Sequence, residues 1–325
     1  MIELVEEGEK RPRTAVTKSG RKLVYLTRAE RESFEEFEAP GRGHLSRLAI
    51  LDQMERGNII IEPFDPRCVN TTSVDVRLGH CYFRETRRGA GDRSILNPFD
   101  PEHITRHWGE PLLPVNAGAF MEENGVELVG IGPRDWLIVL APGETILTHT
   151  TEFIGGKNCV STEMRARSTI GRIGITVCKC AGWGDLSFFC RWTMEMTNHL
   201  RDSDVILVVG MRVAQIIFFM VDPTGSMTYA NTAGSKYQLS DDLREVMRTW
   251  TPYALLPKMY KDRETREGFP LPADFRRMLN ARKNKIVALP LWARRRTSAN
   301  VRKRRSGDRR TVMSASRNAK RAKHR

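Results

Sequence analysis

The chain has 325 residues, of which 40% are hydrophobic and 8% aromatic. That is enough for one substantial core with appendages, or two small ones, and it excludes wholesale disorder. The net charge of +14 is concentrated at one end: Arg294 to Arg325 carry 14 basic residues against one acid, Asp308, so everything before them is nearly balanced.

Residues 1–43 are charged, lack sustained periodicity and are expected to form a peripheral arm with at most one short helix. The opening MIELVEEGEKRPR has acids where a secretory signal needs a basic start and an apolar core, so the expected compartment is the cytoplasm. LSRLAILDQMERG then spaces Leu45, Leu48, Leu51 and Met54 at helical intervals and stops at Gly57, which predicts a short amphipathic helix.

From Asn58 to about Met227 the pattern changes to short runs separated by Gly, Pro, Asn and Asp: NIIIEPF, SVDVRLG, DWLIVLAPGETILTHTTEF, GITVCKCAG, FFCRWTMEMTN, VILVV and VAQIIFF. Many short strands with turn signals between them predict an all-β barrel or sandwich. The longest apolar stretch, VILVVGMRVAQIIFFMV, is interrupted by Gly210, Arg212 and Gln215 and reads as two strands, because a membrane helix needs about 20 mostly apolar residues. The stretch from Arg84 to Asp135 is irregular and is expected to leave the core.

SDDLREVMRTW, with Ser240 as a possible cap, sets Leu243, Val246, Met247 and Trp250 on one helical face. PADFRRMLNARK from Pro272 reads as a second helix. The basic tail from Arg294 has too few apolar residues to offset its ordering entropy and is expected to be disordered in isolation. The resulting divisions are 1–43, 44–240, 241–293 and 294–325.

The six cysteines form no C-x-x-C pair; Cys178 and Cys180 are expected to share one face of a strand as small thiols, a zinc site with Cys190 being the remote alternative. No G-x-x-x-x-G-K-[ST] loop, nucleophile elbow or zinc-protease histidine pair occurs. The H-x-E and P-C-x-x-C signatures of zinc nucleobase deaminases are absent too, so any deamination here would proceed without that zinc centre.

The informative block is MRARSTIGRIGITVCKCAGWGDLSFFCRWTMEMTN, Met164 to Asn198. Arg167 and Arg172 flank Ser168 and Thr169, a donor cluster suited to phosphate oxygens or to orienting a water. Glu195 lies within a strand, so Met194 and Met196 face away from it while Thr193 and Thr197 share its side. A carboxylate there needs a partner or a role. Spacing by itself favours a structural ion pair with an arginine over catalysis.

The run RSTIGRIG, followed about two dozen residues later by Glu195, resembles the signature of the dCTP deaminase branch of the trimeric dUTPase-like superfamily. IIIEPFDP with TTSVDVRLG, including Ser73, Asp75 and Arg77, resembles that family's first segment. LAPGETILTHTTEF, GMRVAQIIFF with Gln215, and YANTAGSKYQ with Tyr229 and Lys236 resemble later ones in the same order. The resemblance covers roughly residues 45–240.

It implies a homotrimer of distorted jelly-roll, dUTPase-like β-barrel subunits that share active sites between neighbours, with dCTP and dUTP as ligands. Glu195 would be the general acid/base that activates water for attack at C4 of cytosine. Ser168 and Arg172 would hold the water and the developing charge, and the carbonyl of Ala181 would help to position base and water. Arg167, Thr169, Tyr229 and Lys236 would meet the triphosphate, which normally carries Mg²⁺, and Gln215 belongs to the same nucleotide-binding set.

Asp185 matches the superfamily aspartate that approaches the deoxyribose 3′-hydroxyl and, in dUTPases, activates water against the α-phosphate. It keeps open a bifunctional enzyme that releases dUMP. A plain dUTPase lacks support, because the glycine-rich C-terminal motif of that branch is absent.

Two segments depart from the family pattern. Where I-D-P-G-[WF] is usual the chain reads GDLSF, with Trp183, Leu186 and Ser187 altered and Phe188 keeping the aromatic; where a Gln is expected a few residues after Lys-Tyr it continues Gln238, Leu239, Ser240. A second functional reading is therefore a catalytically diverged protein of this fold that acts as a nucleic-acid-associated or regulatory binding module. The basic tail would favour phosphate polyanions without base stacking, since it has no aromatic residue, or would serve as a nuclear or nucleoid address.

Overall fold

β-Branched and aromatic runs broken by turn residues produce an all-β fold, as expected. The computed structural model describes residues 14–16, 22–24, 43–86, 95–222, 225–232 and 234–262, with positions 274 and 277. In chain order the elements are β1 (Thr14–Val16), β2 (Lys22–Val24), α1 (Arg47–Glu55), β3 (Ile59–Glu62), β4 (Val74–Arg77), β5 (Phe83–Arg84), α2 (Pro101–Trp108), β6 (Val115–Asn116) and α3 (Ala117–Asn124). There follow β7 (Trp136–Leu140), β8 (Thr145–Gly156), β9 (Val160–Ala166), α4 (Ser168–Arg172), β10 (Ile175–Thr176), β11 (Trp183–Gly184), β12 (Arg191–Asn198), β13 (Val205–Val208), β14 (Arg212–Met220) and α5 (Leu243–Thr249).

All strand pairings among the described residues are antiparallel. One sheet runs β10-β12-β8-β3, with β5 also on β8; a second runs β11-β9-β14-β4, and a third β13-β7-β6. These sheets do not close into a barrel among the described residues, so the expected barrel is an open, layered version of the all-β class. Gly210, at φ 83°, turns the chain between β13 and β14, yet the two strands then part, β13 to β7 and β14 to β4 and β9.

The core lies between the sheets. Val74, Val76, Ile138, Leu140, Ile146, Ile154, Met164, Ile216 and Phe218 are all buried in one cluster with Ile50 and Leu51 of α1. Each such side chain contributes about 1.5–3 kcal/mol on leaving water. Helix α1 forms where predicted, capped by Ser46, whose side chain accepts from the Ala49 amide. Its buried face is carried by Ala49, Ile50 and Leu51, whereas Leu48 and Met54 are half-buried.

Several expectations change. The N-terminal arm contains the β1–β2 hairpin, which lacked any periodic signal. Cys178 and Cys180 lie in a loop, not on a strand: Cys180 has a left-handed φ of 62° and is exposed, Cys178 is half-buried, and all six thiols are free. Helix α5 is capped by Asp242, which accepts from the Glu245 amide, while Ser240 accepts from the Asp242 amide instead; Met247 faces outward. The Arg84–Asp135 stretch does leave the core, as α2, β6 and α3. The tail from Arg294, most of the predicted helix from Pro272 and any helix in residues 25–42 lie outside the described residues. The described elements belong to a compact unit spanning Met1–Glu264; a second unit, Thr265–Arg325, contains only positions 274 and 277 among them.

Candidate active site

Strand β12 is two-faced because its sequence alternates. Trp192, Met194 and Met196 are buried in the core, and Thr193 and Glu195 point the other way, into a cavity of about 660 Å³. Glu195 pairs in register with Leu147 of β8, which lines the same cavity. The loop after β10 and the turn after β11 add Lys179, Ala181, Trp183 and Asp185, and Tyr229 enters from the segment after β14. Edge-to-face contact of Phe188 with Tyr229 (5.0 Å) and with Trp192 (5.6 Å) ties that segment to the β12 core.

Glu195 is more than half buried, and burial, which penalises the charged form, raises its pKa above the ordinary glutamate range; the backbone amides of Lys179 and Glu195 and the Lys179 charge pull the other way. The Lys179 amide donates to Glu195 Oε2 at 3.3 Å, and Lys179 Nζ donates to Thr145 Oγ1 at 2.9 Å, itself 2.8 Å from Thr197 Oγ1. Among the described residues Glu195 has no ion pair, so the structural salt bridge that spacing favoured is not made within one chain. A carboxylate held by an amide at the edge of a cavity and biased toward accepting a proton can act as a general base.

Four of the ten predicted residues therefore meet: Glu195, Ala181, Asp185 and Tyr229. The other six do not line this cavity within one chain. Ser168, Thr169 and Arg172 are exposed on α4, a short helix whose Ile170 is buried. Arg167 precedes that helix, and its Nε lies 3.4 Å from Asp75 Oδ2. Asp75 is almost fully buried and also meets Arg212 Nη1 at 3.0 Å and Asn70 Nδ2 at 2.9 Å. Gln215 donates to Ser73 Oγ at 3.2 Å, which makes it part of this strand-to-strand network. Arg77 is likewise committed, its Nε donating to the buried Glu152 at 2.5 Å. Lys236 lines a neighbouring cavity of about 410 Å³ and is ion-paired with Asp262.

The remodelled turn explains itself in the backbone. Ser187 stands where the family motif has glycine and keeps the glycine-like left-handed conformation, φ 67°. It is held there by its own amide, which donates to Gly156 O at 3.0 Å, and by Gln238 Nε2, which donates to Ser187 O at 2.7 Å. Gln238 also accepts from the Phe189 amide at 2.8 Å and donates to Ser240 O at 3.1 Å. One buried amide thus clamps the Asp185 turn to the segment carrying Tyr229 and Lys236. Trp183 stacks on Phe219 and donates through Nε1 to Asp185 Oδ1 at 3.2 Å, which orients that carboxylate.

Sequence reasoning missed part of the lining. Arg191 lies on β12 four residues before Glu195, a spacing that period-two reading could have flagged; its guanidinium sits between the rings of Trp250 (4.6 Å) and Phe153 (4.8 Å) and hydrogen-bonds to nothing among the described residues. Trp108 of α2 and Ala254, Leu255 and Pro257 complete the wall. Leu255 and Leu256 are buried against Phe83, Ile104 and Leu147, so the excursion and the C-terminal extension reach the cavity together. No local pattern links those segments.

A family model described as dCTP deaminase-like matches residues 44–221. Among curated proteins, a "dCTP deaminase, dUMP-forming" of Methanosphaerula palustris is 28% identical over 58% of this chain and 87% of its own length. One of the same name from Beutenbergia cavernae is 30% identical over 60% of this chain and 88% of its own. Among solved structures, the 2′-deoxycytidine 5′-triphosphate deaminase from Agrobacterium tumefaciens matches at 15% identity and a TM-score of 0.37, over 56% of this chain and about half (49%) of that one. No helix among the described residues is long and apolar enough to cross a membrane.

Proposed function

The chain belongs to the dCTP deaminase-like family, and from that premise we propose that it hydrolyses dCTP, presented with Mg²⁺ on its triphosphate, to dUTP and ammonia. The observation that carries this reading is Glu195: a partly buried carboxylate, held through Oε2 by the Lys179 amide, facing a cavity large enough for a nucleoside. It takes a proton from water as the oxygen attacks C4, and returns a proton to the amino group as ammonia leaves. With no H-x-E or P-C-x-x-C pair in the sequence, water activation falls to this carboxylate rather than to a zinc-deaminase centre.

The Ala181 carbonyl orients the base and its water. Tyr229 closes the cavity beside Asp185, which receives the 3′-hydroxyl. Arg191, a guanidinium without a carboxylate partner among the described residues, is a cation available inside the cavity for the substrate's phosphates. Ser168, Thr169 and Arg172 are exposed on one chain, in keeping with a homotrimer in which a neighbour brings α4 to the cavity. Lys236 reaches a triphosphate once Asp262 gives way. Asp185, already oriented by Trp183, gives the onward step to dUMP a candidate residue. The basic tail adds salt-sensitive affinity for nucleic acid and is separate from turnover.

The test is incubation of the purified protein with dCTP and Mg²⁺, with ammonia quantified and nucleotides separated, beside Glu195→Gln. Ammonia from the parent and loss of at least about a hundredfold in the variant, with nucleotide binding kept, is the expected result. Full activity in Glu195→Gln would overturn the assignment, and no turnover by the parent would favour the binding-module reading.

A further inference from the structure

On the same face of the sheet as Glu195, beyond the catalytic cavity, three potential metal donors converge that the proposed reaction does not use. His149 of β8 pairs in register with Thr193 of β12 and is fully buried. His80 and Cys81 lie on the segment between β4 and β5, which is fastened along β8: the Gly79 amide donates to His149 O at 2.7 Å, and Thr148 Oγ1 donates to Cys81 O at 3.3 Å. One ligand atom from each of the three residues lies within 4.8 Å of the other two.

We propose that His80, Cys81 and His149 bind one zinc ion, with two imidazole nitrogens and one thiolate as protein ligands. The second observation is the state of His149. Its Nδ1 is 2.8 Å from the Thr150 carbonyl, which can only accept, so Nδ1 carries the proton and Nε2 presents a lone pair. That Nε2 is buried and has no hydrogen-bond partner among the described residues. A buried acceptor left unpaired costs about 1–3 kcal/mol, whereas a metal-ligating histidine characteristically donates its other ring N–H to a carbonyl, as His149 does.

The rings of His80 and His149 are edge to face at 5.1 Å. Ligands on one tetrahedral zinc are about 3.5 Å apart, from Zn–N of about 2.1 Å and Zn–S of about 2.3 Å, so closure needs roughly 1 Å of movement, which the exposed His80 can supply by side-chain rotation. Gly79 makes the approach possible, since a Cβ there would lie 2.1 Å from the His149 ring. Cys81 ligates as the thiolate, its proton passing to solvent as the ion binds. Two nitrogens and one sulfur suit zinc better than magnesium or calcium, and the exposed side of His80 leaves the fourth position to water. The ion would fasten the 78–82 segment to β8, a structural role that does not depend on the deaminase reading.

The experiment is metal analysis of the tag-free full-length protein after equilibration with zinc and gel filtration, together with titration of the metal-free protein with Co²⁺. About one zinc per chain is expected, with a thiolate-to-cobalt charge-transfer band, and Cys81→Ser should abolish the band. His149→Gln should lose zinc. His80→Gln, at an exposed position that does not burden folding, should weaken zinc binding by at least about tenfold. Zinc below about 0.1 per chain with no cobalt band, or unchanged affinity in the folded His80→Gln protein, would overturn the proposal.

Discussion

Replacing Gln238 by Met should unclamp the turn that carries Asp185. Gln238 is 2% exposed and makes three hydrogen bonds, with the Phe189 amide at 2.8 Å, Ser187 O at 2.7 Å and Ser240 O at 3.1 Å. Each is worth about 1 kcal/mol net, so about 3 kcal/mol is expected, a factor of roughly 150 in the folding equilibrium. Ser187 enters the same balance, because its left-handed backbone costs about 1–2 kcal/mol without glycine. Ser187→Gly should therefore stabilise the protein by about 1 kcal/mol. Urea unfolding at fixed protein concentration reads both values. The KM for dCTP should rise in Gln238→Met, since the clamp joins the Asp185 turn to the Tyr229 and Lys236 segment. A stability within about 0.5 kcal/mol of the parent would refute the clamp.

Glu195→Gln should stabilise the fold at neutral pH. A carboxyl whose folded pKa is raised contributes stability that is fully present below its unfolded pKa and is lost as pH rises through its folded pKa, so the gap between variant and parent should shrink on acidification; a gap independent of pH counts against burial as the cause. Asp65 behaves oppositely: its hydrogen bonds with Arg67 hold its pKa at about 2, and the modest stability it adds at this exposed surface should be lost as pH falls from about 4 through 2, a change Asp65→Asn should remove from acid-unfolding curves. Asp185→Asn should leave ammonia release measurable while suppressing dUMP among the products; unchanged dUMP would remove Asp185 from that step. Deleting residues 294–325 should leave dCTP turnover unchanged and abolish salt-sensitive retention on DNA and RNA, which would persist if the tail were not the contact.

Much of the site could be read along the chain because strands write their burial in period two. Met194 and Met196 inward and Thr193 and Glu195 outward follow from the sequence, and β12 has that alternation. Turn residues likewise delimited most strands, and the RSTIGRIG run followed by Glu195 pointed to the family that residues 44–221 match. Composition also determined that the charge excess is terminal and the body nearly neutral.

Tertiary structure alone decided which strands share a sheet, since VILVV and VAQIIFF are consecutive in sequence yet pair with different partners. It decided that the wall of the cavity comes from Trp108 and Leu255, nearly 150 positions apart, and that Arg167 and Gln215 belong to the Asp75 network rather than to the cavity lining of one chain. It also gathered His80, Cys81 and His149, whose separation in sequence hides any ligand spacing. The physical reason is the same in each case: periodicity reports which face of an element avoids water, but the identity of what covers that face depends on contacts between segments distant along the chain.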